Sequence, residues 1–312
     1  MYRVILDTNF YRNLSRNKTN KQLISILNKI KSAENKKDIS PLFNPITAKE
    51  LLAHINHKNW TNRIDIIQSL KALYQHSGTK KNYEAIPFPE LLIGKAFFNQ
   101  EIKAKIETQK AIGQMVYNIA KKPRVDTFLK LEKNLSLNKK SIEEGEIGFV
   151  ESITDFFKNI DPNSNGKNIF KSDKNKRKNF LTQIDNEKTS IEIASAMLNI
   201  TNQLLNAENN TKLLSLKELE PLAKKFINIF PEPINLQKEV LKKVIQNDFN
   251  IKKHANYIWD IHMMYYAGQN KINSAKMIFV TSDKALIKSA LNTNNQNMIF
   301  NYQEYIDYLC IK

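Results

Sequence analysis

The chain contains a single cysteine, Cys310, among its 312 residues. One thiol cannot close a disulfide within the chain, and it excludes a zinc site built from several cysteines. Glycine is also scarce, with seven residues, and no segment resembles a Walker loop, a dinucleotide-binding fingerprint or a nucleophile elbow. The sequence therefore favours a cytoplasmic protein whose chemistry needs neither thiols nor a glycine-rich phosphate loop.

Long hydrophobic runs are absent as well. No apolar stretch approaches the roughly 18 residues that a membrane helix requires. The apolar opening of the sequence meets an acid at Asp7, so it lacks the hydrophobic core of a signal peptide. We therefore expect no membrane association, and we expect the first residues to belong to the mature fold.

Acidic residues are few relative to basic ones. The chain has 31 Asp and Glu against 48 Lys and Arg, which gives a formal net charge of +17. Such an excess favours polyanionic partners, and nucleic acid is the first candidate. The alternative is a genome-wide preference for lysine and asparagine, which raises the isoelectric point of many unrelated proteins. With 41% hydrophobic and 25% charged residues, the composition is that of a folded protein.

Strands alternate with helices at both ends of the chain. Apolar runs predict strands at 3–6 and 277–280, with shorter ones near 42–43 and at 298–300. Because parallel neighbours need crossover connections, this alternation predicts an α/β fold with a parallel sheet flanked by helices.

The middle of the chain shows long helical periodicities instead. We predict helices at 91–117, 128–137, 141–157, 180–205 and 216–230, with a loop from 161 to 178. The sequence thus predicts a discontinuous α/β core, formed by residues 1–79 and 246–312, and a mostly helical insertion formed by residues 80–245.

Four acids of the predicted core occupy positions that suit a catalytic site. Asp7 and Asp283 each follow a strand, at the edge where parallel sheets place functional groups. Thr47 and Glu50 have the spacing of a capping box, which puts Glu50 in the first turn of a helix, and Asp260 lies on a predicted helix at 254–267. Crowded carboxylates repel one another unless a hard cation such as Mg²⁺ or Mn²⁺ is bound. The alternative is that Asp7 and Asp283 are ordinary turn or cap residues.

Four short motifs, which span less than half of the chain, together resemble a PIN domain. They are Val-Ile-Leu-Asp-Thr-Asn at 4–9, Thr-Ala-Lys-Glu-Leu at 47–51, Asp-Ile-His-Met-Met-Tyr-Tyr-Ala at 260–267 and Ile-Phe-Val-Thr-Ser-Asp at 278–283. PIN domains are mostly metal-dependent ribonucleases with an α/β fold. The resemblance implies catalytic, metal-binding roles for Asp7, Glu50, Asp260 and Asp283. It also implies that four residues orient this acidic quartet: Thr8, Asn9, Thr281 and Ser282.

The function that this resemblance implies is a two-metal endoribonuclease, which uses Mg²⁺ or Mn²⁺ to cleave RNA and leaves 5′-phosphate and 3′-hydroxyl ends. Two other functions stay open. The protein could be a DNA or structure-specific nuclease on the same core, or a non-catalytic nucleic-acid-binding or scaffold protein. A toxin or defence effector is a further option for its biological use. The helical insertion could clamp nucleic acid, form a homo-oligomer, bind an inhibitory protein partner, or be a structural elaboration.

A basic run in the predicted 161–178 loop is a candidate for phosphate contact. Basic side chains in such a run give salt-sensitive affinity that is independent of sequence. A solvated loop explains the same residues equally well. The run consists of Lys171, Lys174, Lys176, Arg177 and Lys178.

Overall fold

A computed structural model describes residues 1–78, 84–162, 170, 173–246, 250–267, 276–291 and 298–311. Its four strands form one parallel sheet in the order β2-β1-β3-β4. The strands are β1 (Tyr2–Leu6), β2 (Ile39–Pro41), β3 (Lys276–Val280) and β4 (Met298–Phe300). The predicted α/β fold with a parallel sheet flanked by helices is confirmed.

The two central strands are hydrophobic on both faces. In β1, residues 4–6 are at most 1% exposed, and in β3, residues 277–280 are at most 2% exposed. A strand that reads as a continuous apolar run, without alternation, is typical of a parallel sheet covered on both sides. The pairing aligns Leu6 with Val280. Both central strands therefore end at the same edge of the sheet.

Fourteen α-helices lie in the described part of the chain, with 3₁₀ turns at Trp60–Asn62 and Ile251–His254 and a π-helical segment at Gly94–Phe98. The helices are α1 (Thr8–Ser15), α2 (Asn20–Lys36), α3 (Pro45–Ala53), α4 (Ile64–Ser77), α5 (Pro89–Ile93), α6 (Lys103–Lys121), α7 (Val125–Ile160), α8 (Lys174–Ile184), α9 (Glu187–Asn209), α10 (Leu216–Ile229), α11 (Pro231–Gln246), α12 (Tyr257–Met264), α13 (Lys284–Leu291) and α14 (Tyr302–Tyr308).

Several helix boundaries differ from the sequence prediction. The helix expected at 91–117 divides into α5, the π-helical segment and α6, and Asn99 adopts a left-handed φ of 53° in between. The helices expected at 128–137 and 141–157 form one continuous helix, α7. The polar residues at their junction do not stop the helix because they are hydrogen bonded: Asn138 Nδ2 donates to the Lys49 carbonyl at 3.0 Å, and Ser141 Oγ lies 3.1 Å from Lys49 Nζ.

The second strand lies earlier than predicted. Residues 42–43 were expected to form it, but β2 is Ile39–Pro41. Phe43 instead forms an isolated bridge with Ala85. An edge strand tolerates a proline such as Pro41 because one side of it needs no ladder hydrogen bonds.

The chain divides into two compact units. The first consists of Met1–Phe88, Ala104–Ile142 and Tyr266–Lys312, and the second of Pro89–Lys103 and Glu143–Tyr265. These boundaries differ from the sequence division at 79/80 and 245/246. Packing explains part of the difference: the first half of α7 stacks Phe128 on Trp60, with ring centroids 5.2 Å apart. The assignment of a nuclease core and an inserted region to separate segments stays a prediction.

A buried polar network fixes the helices of the first unit. The Tyr305 hydroxyl donates to Glu34 Oε1 at 2.7 Å, and His76 Nε2 lies 2.9 Å from the same oxygen. On its other side, His76 Nδ1 lies 3.1 Å from the Tyr11 hydroxyl. All four side chains are at most 2% exposed. The network links α1, α2, α4 and α14, so it holds the helix that follows β1 in a defined position.

The second unit consists of helices in its described residues. Aromatic rings form much of its core, with Tyr265 lying 5.2 Å from Phe230 and 6.1 Å from Phe226 between ring centroids. Trp259 Nε1 donates to Glu146 at 3.2 Å, which joins α12 to the second half of α7. Among the described residues, the helices are too short or too polar to cross a membrane.

Candidate active site

Asp7 follows β1 directly and begins α1. Its Oδ1 accepts the Phe10 N–H at 2.7 Å, as an N-cap aspartate does. Its Oδ2 accepts the Thr281 hydroxyl at 2.7 Å. The Asp7 N–H still belongs to the sheet, because it donates to the Val280 carbonyl at 3.1 Å. A buried carboxylate, 7% exposed, is therefore fixed at the carboxyl end of a central strand.

Thr281 connects the two strand ends. Its backbone N–H donates to the Phe300 carbonyl of β4 at 3.0 Å, and the residue is fully buried. While its hydroxyl donates to Asp7, the same oxygen accepts the Asp283 N–H at 3.1 Å. Asp283 Oδ1 accepts the N–H groups of Ala285 and Leu286 at 2.6 and 3.2 Å, which caps α13. One threonine thus joins the two predicted strand-end acids.

Burial raises the pKa of Asp7 above its ordinary value, and the negative charge of Asp283 raises it further. Hydrogen bonds from Thr281, Phe10 and the Ser282 backbone oppose this rise. Ionisation of Asp7 is therefore disfavoured, and a bound cation would offset both the burial of Asp7 and its repulsion from Asp283.

Glu50 is bonded to Thr8, the residue that follows Asp7. The Thr8 hydroxyl on α1 donates to Glu50 Oε2 on α3. Glu50 lies in the second turn of α3, so the predicted capping box with Thr47 is wrong. The N-cap is Asn44, whose Oδ1 accepts the N–H groups of Ile46 and Thr47 at 3.0 and 3.3 Å.

Asn44 also ties α3 to the sheet. Its Nδ2 donates to the Leu6 carbonyl at 3.4 Å and to the Thr47 hydroxyl at 2.8 Å. The Thr47 hydroxyl in turn donates to the Leu6 carbonyl at 3.4 Å. Sequence reasoning missed Asn44, although an asparagine before Pro45 is a recognisable start signal: the asparagine caps the helix and proline occupies its first position.

The remaining predicted site residues lie in different surroundings. Asn9 and Ser282 are exposed beside the strand ends. Asp260 is partly buried on α12, in the second compact unit. Whether Asp260 belongs to the same site as Asp7 stays a prediction.

The donors at the strand ends suit a hard cation. Carboxylate and hydroxyl oxygens are the ligands that Mg²⁺ and Mn²⁺ prefer. Both Asp7 oxygens already accept a hydrogen bond, but a carboxylate has about four acceptor positions. Among the residues that the structure describes, three or more Asp, Glu, His or Cys side chains are nowhere grouped so that they could hold a metal ion. The Asp7 and Asp283 pair therefore suits a hard cation by the chemistry of its oxygen donors.

The described residues of the predicted basic run form a helix and not the predicted loop. Lys174, Lys176, Arg177 and Lys178 lie in α8, which begins where Asp173 Oδ1 accepts the Lys176 N–H at 2.9 Å, and Lys171 lies outside the described residues. The Arg177 guanidinium donates to the carbonyls of Ile245 and Gln246. Arginine thereby caps the carboxyl end of α11. This contact gives Arg177 a structural role, and phosphate contact by the run stays a prediction.

No family model, no curated protein and no solved structure matches the chain significantly.

Proposed function

We propose that the protein is a metal-dependent nuclease whose site lies at the carboxyl ends of β1 and β3. The observation that carries the proposal is the Thr281 hydroxyl, which links Asp7 to Asp283 across adjacent parallel strands. Two acids far apart in the sequence are thereby linked, with Asp7 buried and Asp283 half-buried, although their charges repel. Such an arrangement is typical of a site that binds a cation.

Each residue has a distinct role in this proposal. Asp7 and Asp283 present carboxylates from strand ends that their own capping bonds hold in place. Glu50, which accepts the Thr8 hydroxyl, is proposed as the third acid, and Asp260 is proposed as the fourth. When bound, Mg²⁺ or Mn²⁺ activates a water and neutralises charge on the phosphate oxygens.

RNA is the proposed substrate because the four motifs resemble those of PIN ribonucleases. The net charge of +17 supports a polyanionic substrate without choosing RNA over DNA. A toxin or defence role, a cytoplasmic location and an inhibitory protein partner are extensions of this proposal. Growth arrest on expression, relieved by Asp7→Asn, would support the toxin or defence role.

A cleavage assay tests the proposal. Purified protein is incubated with matched, end-labelled single strands of RNA and DNA in Mn²⁺, in Mg²⁺ and in excess chelator. We expect RNA cleavage that requires the metal and falls by at least roughly a hundredfold in Asp7→Asn, since the variant removes a charged ligand.

Asp38→Asn is the matched control. Asp38 is 75% exposed and pairs with the amino terminus at 3.0 Å, so its replacement should leave cleavage unchanged. Full activity of Asp7→Asn, or cleavage that persists in chelator, would contradict the proposal. Cleavage of DNA in preference to RNA would overturn the substrate assignment and leave the metal chemistry in place.

A further inference from the structure

A second group of charged residues lies one helical turn from the proposed site. The bond between Thr8 and Glu50 sets α1 beside α3. Arg12 follows Thr8 by four residues, and His54 follows Glu50 by four residues. Side chains four apart in a helix share a face and lie about one turn, or roughly 5 Å, along the axis. Arg12 and His54 therefore extend the surface that Thr8 and Glu50 begin.

Arg12 is a partly buried cation. Its Nε–H is buried and donates to no acceptor among the described residues. No described carboxylate forms an ion pair with it either. Arginine carries five donors in a planar fork and stays charged in proteins. A partly desolvated, unpaired guanidinium is unfavourable unless an anion can occupy the position.

Arg63 adds a second cation from a neighbouring element. It is exposed and occupies the N-cap of α4, with no side-chain capping bond. A positive charge at this end of a helix is disfavoured by the helix dipole, whereas an anion there is favoured. The Ser15 and Ser69 hydroxyls, 2.9 Å apart, fasten α1 to α4. The helix that carries Arg12 therefore packs against the helix that begins after Arg63, whose first turn also contains Asp65.

The charges of these cations all act on His54. After burial, the positive charges of Arg12, Arg63 and Lys139 lower the pKa of His54, and only Asp65 opposes them. His54 is therefore neutral near pH 7, and the charge of the surface comes from the arginines and Lys139. Lys139 is exposed on α7, next to Asn138, which donates to the Lys49 carbonyl in the middle of α3.

We infer that Arg12 and Arg63, with Lys139 at the margin, form a phosphate-binding surface that holds the backbone of the nucleic-acid strand beside Glu50. This inference rests on the proposed function, since it assigns the part of the substrate next to the cleavage site. Guanidinium groups bind phosphate oxygens in pairs, which fixes the position of the backbone without reading bases. Two arginines on separate helices suit consecutive phosphates of a strand better than one free phosphate ion.

The test measures binding without cleavage, in the Asp7→Asn background. A labelled single-stranded RNA is titrated by fluorescence anisotropy in metal-free buffer at several salt concentrations. We expect Arg12→Gln with Arg63→Gln to weaken binding by at least roughly tenfold, since charge-assisted bonds are lost. The slope of log affinity against log salt should fall by about 1.4, because each phosphate contact to a single strand contributes about 0.7.

A matched pair of variants separates local contact from overall charge. Lys29→Gln with Lys36→Gln removes the same charge from exposed positions on α2, and it should change the slope little. Equal losses for both pairs would overturn the inference. Arg63→Gln alone, at an exposed position where misfolding is not expected, should lower the slope by about 0.7, and an unchanged slope would also overturn it.

Two further results separate the possible outcomes. Inorganic phosphate at constant ionic strength should displace the RNA poorly; complete displacement at equal affinity would assign the surface to free phosphate and overturn the nucleic-acid assignment. If RNA binding depends on both arginines but the wild-type protein cleaves nothing in Mn²⁺, the surface stands and the nuclease proposal fails. If the wild type cleaves RNA and both arginine variants bind it normally, the surface fails and the nuclease proposal stands.

Discussion

At the scale of single residues, Asp7 has two roles that conflict. Its oxygens accept the bonds that cap α1 and bind Thr281, and these bonds favour a fixed carboxylate. Its burial and the nearby Asp283 charge disfavour ionisation. A residue selected only for capping would not need a charge in this position. The conflict is resolved if the carboxylate pair binds a cation.

The raised pKa of Asp7 gives a pH-dependent prediction. A carboxyl group whose pKa is higher in the folded state contributes stability that is present below its unfolded value, near 3.8, and lost as pH rises. Asparagine removes the charge and can keep the Phe10 N–H bond through its Oδ1, while its Nδ2 can donate to the Thr281 hydroxyl oxygen in place of accepting from it. In metal-free buffer, Asp7→Asn should therefore raise the Tm by about 2 °C or more at neutral pH, with no gain near pH 4.

Thermal denaturation of both proteins between pH 4 and pH 8, with and without Mn²⁺, checks this prediction. The ion should stabilise the wild type and not the variant, because ligands stabilise the state that binds them. A variant that is less stable than the wild type by the same amount at every pH would show that Asp7 is only a structural cap.

At the scale of elements, the sequence predicted those parts whose signals are local. The apolar runs of β1 and β3 and the acids at their ends could be read directly, because parallel strands bury both faces. The continuity of α7 could not be predicted in this way. Asn138 and Ser141 interrupt the apolar pattern of the sequence, and the partner that both contact, Lys49, lies on α3, far away along the chain. Thr47 and Glu50 have the capping-box spacing, yet Asn44 caps α3 because it also bonds to Leu6. Such long-range bonds leave no periodic signal.

Asn44 should control the position of α3, and thus of Glu50. We expect Asn44→Ala to lower the free energy of unfolding by about 1–3 kcal/mol, since a buried cap and its donors are lost. Metal-dependent cleavage should fall with it at temperatures where the protein stays folded. Chemical denaturation and cleavage rates measure the two effects.

Asn186→Ala is the comparison for this prediction. Asn186 occupies the N-cap of α9 without a side-chain capping bond, so its replacement should change stability by less than about 0.5 kcal/mol. Equal effects of the two substitutions would show that the Asn44 bonds do not stabilise α3.

At the scale of the whole molecule, charge predicted a class of partner but not its location. The net charge of +17 favours polyanions wherever the cations lie. The basic run at 171–178 was the visible candidate, but Arg177 bonds to the end of α11. Arg12 and Arg63 are isolated in the sequence, and the packing of α1, α3 and α4 is what lets both of their charges act on His54. Asp260 illustrates the same limit, because a motif does not fix where its helix lies.

The central claim is that carboxylates from two strand ends share a divalent ion. Anomalous diffraction near the manganese edge, from crystals soaked in Mn²⁺, tests it most directly. We predict an anomalous peak within about 2.0–2.6 Å of carboxylate oxygens from both Asp7 and Asp283, absent in crystals of Asp7→Asn. Saturating Mn²⁺ that gives no peak at these residues, or a peak that contacts neither aspartate, would contradict the account.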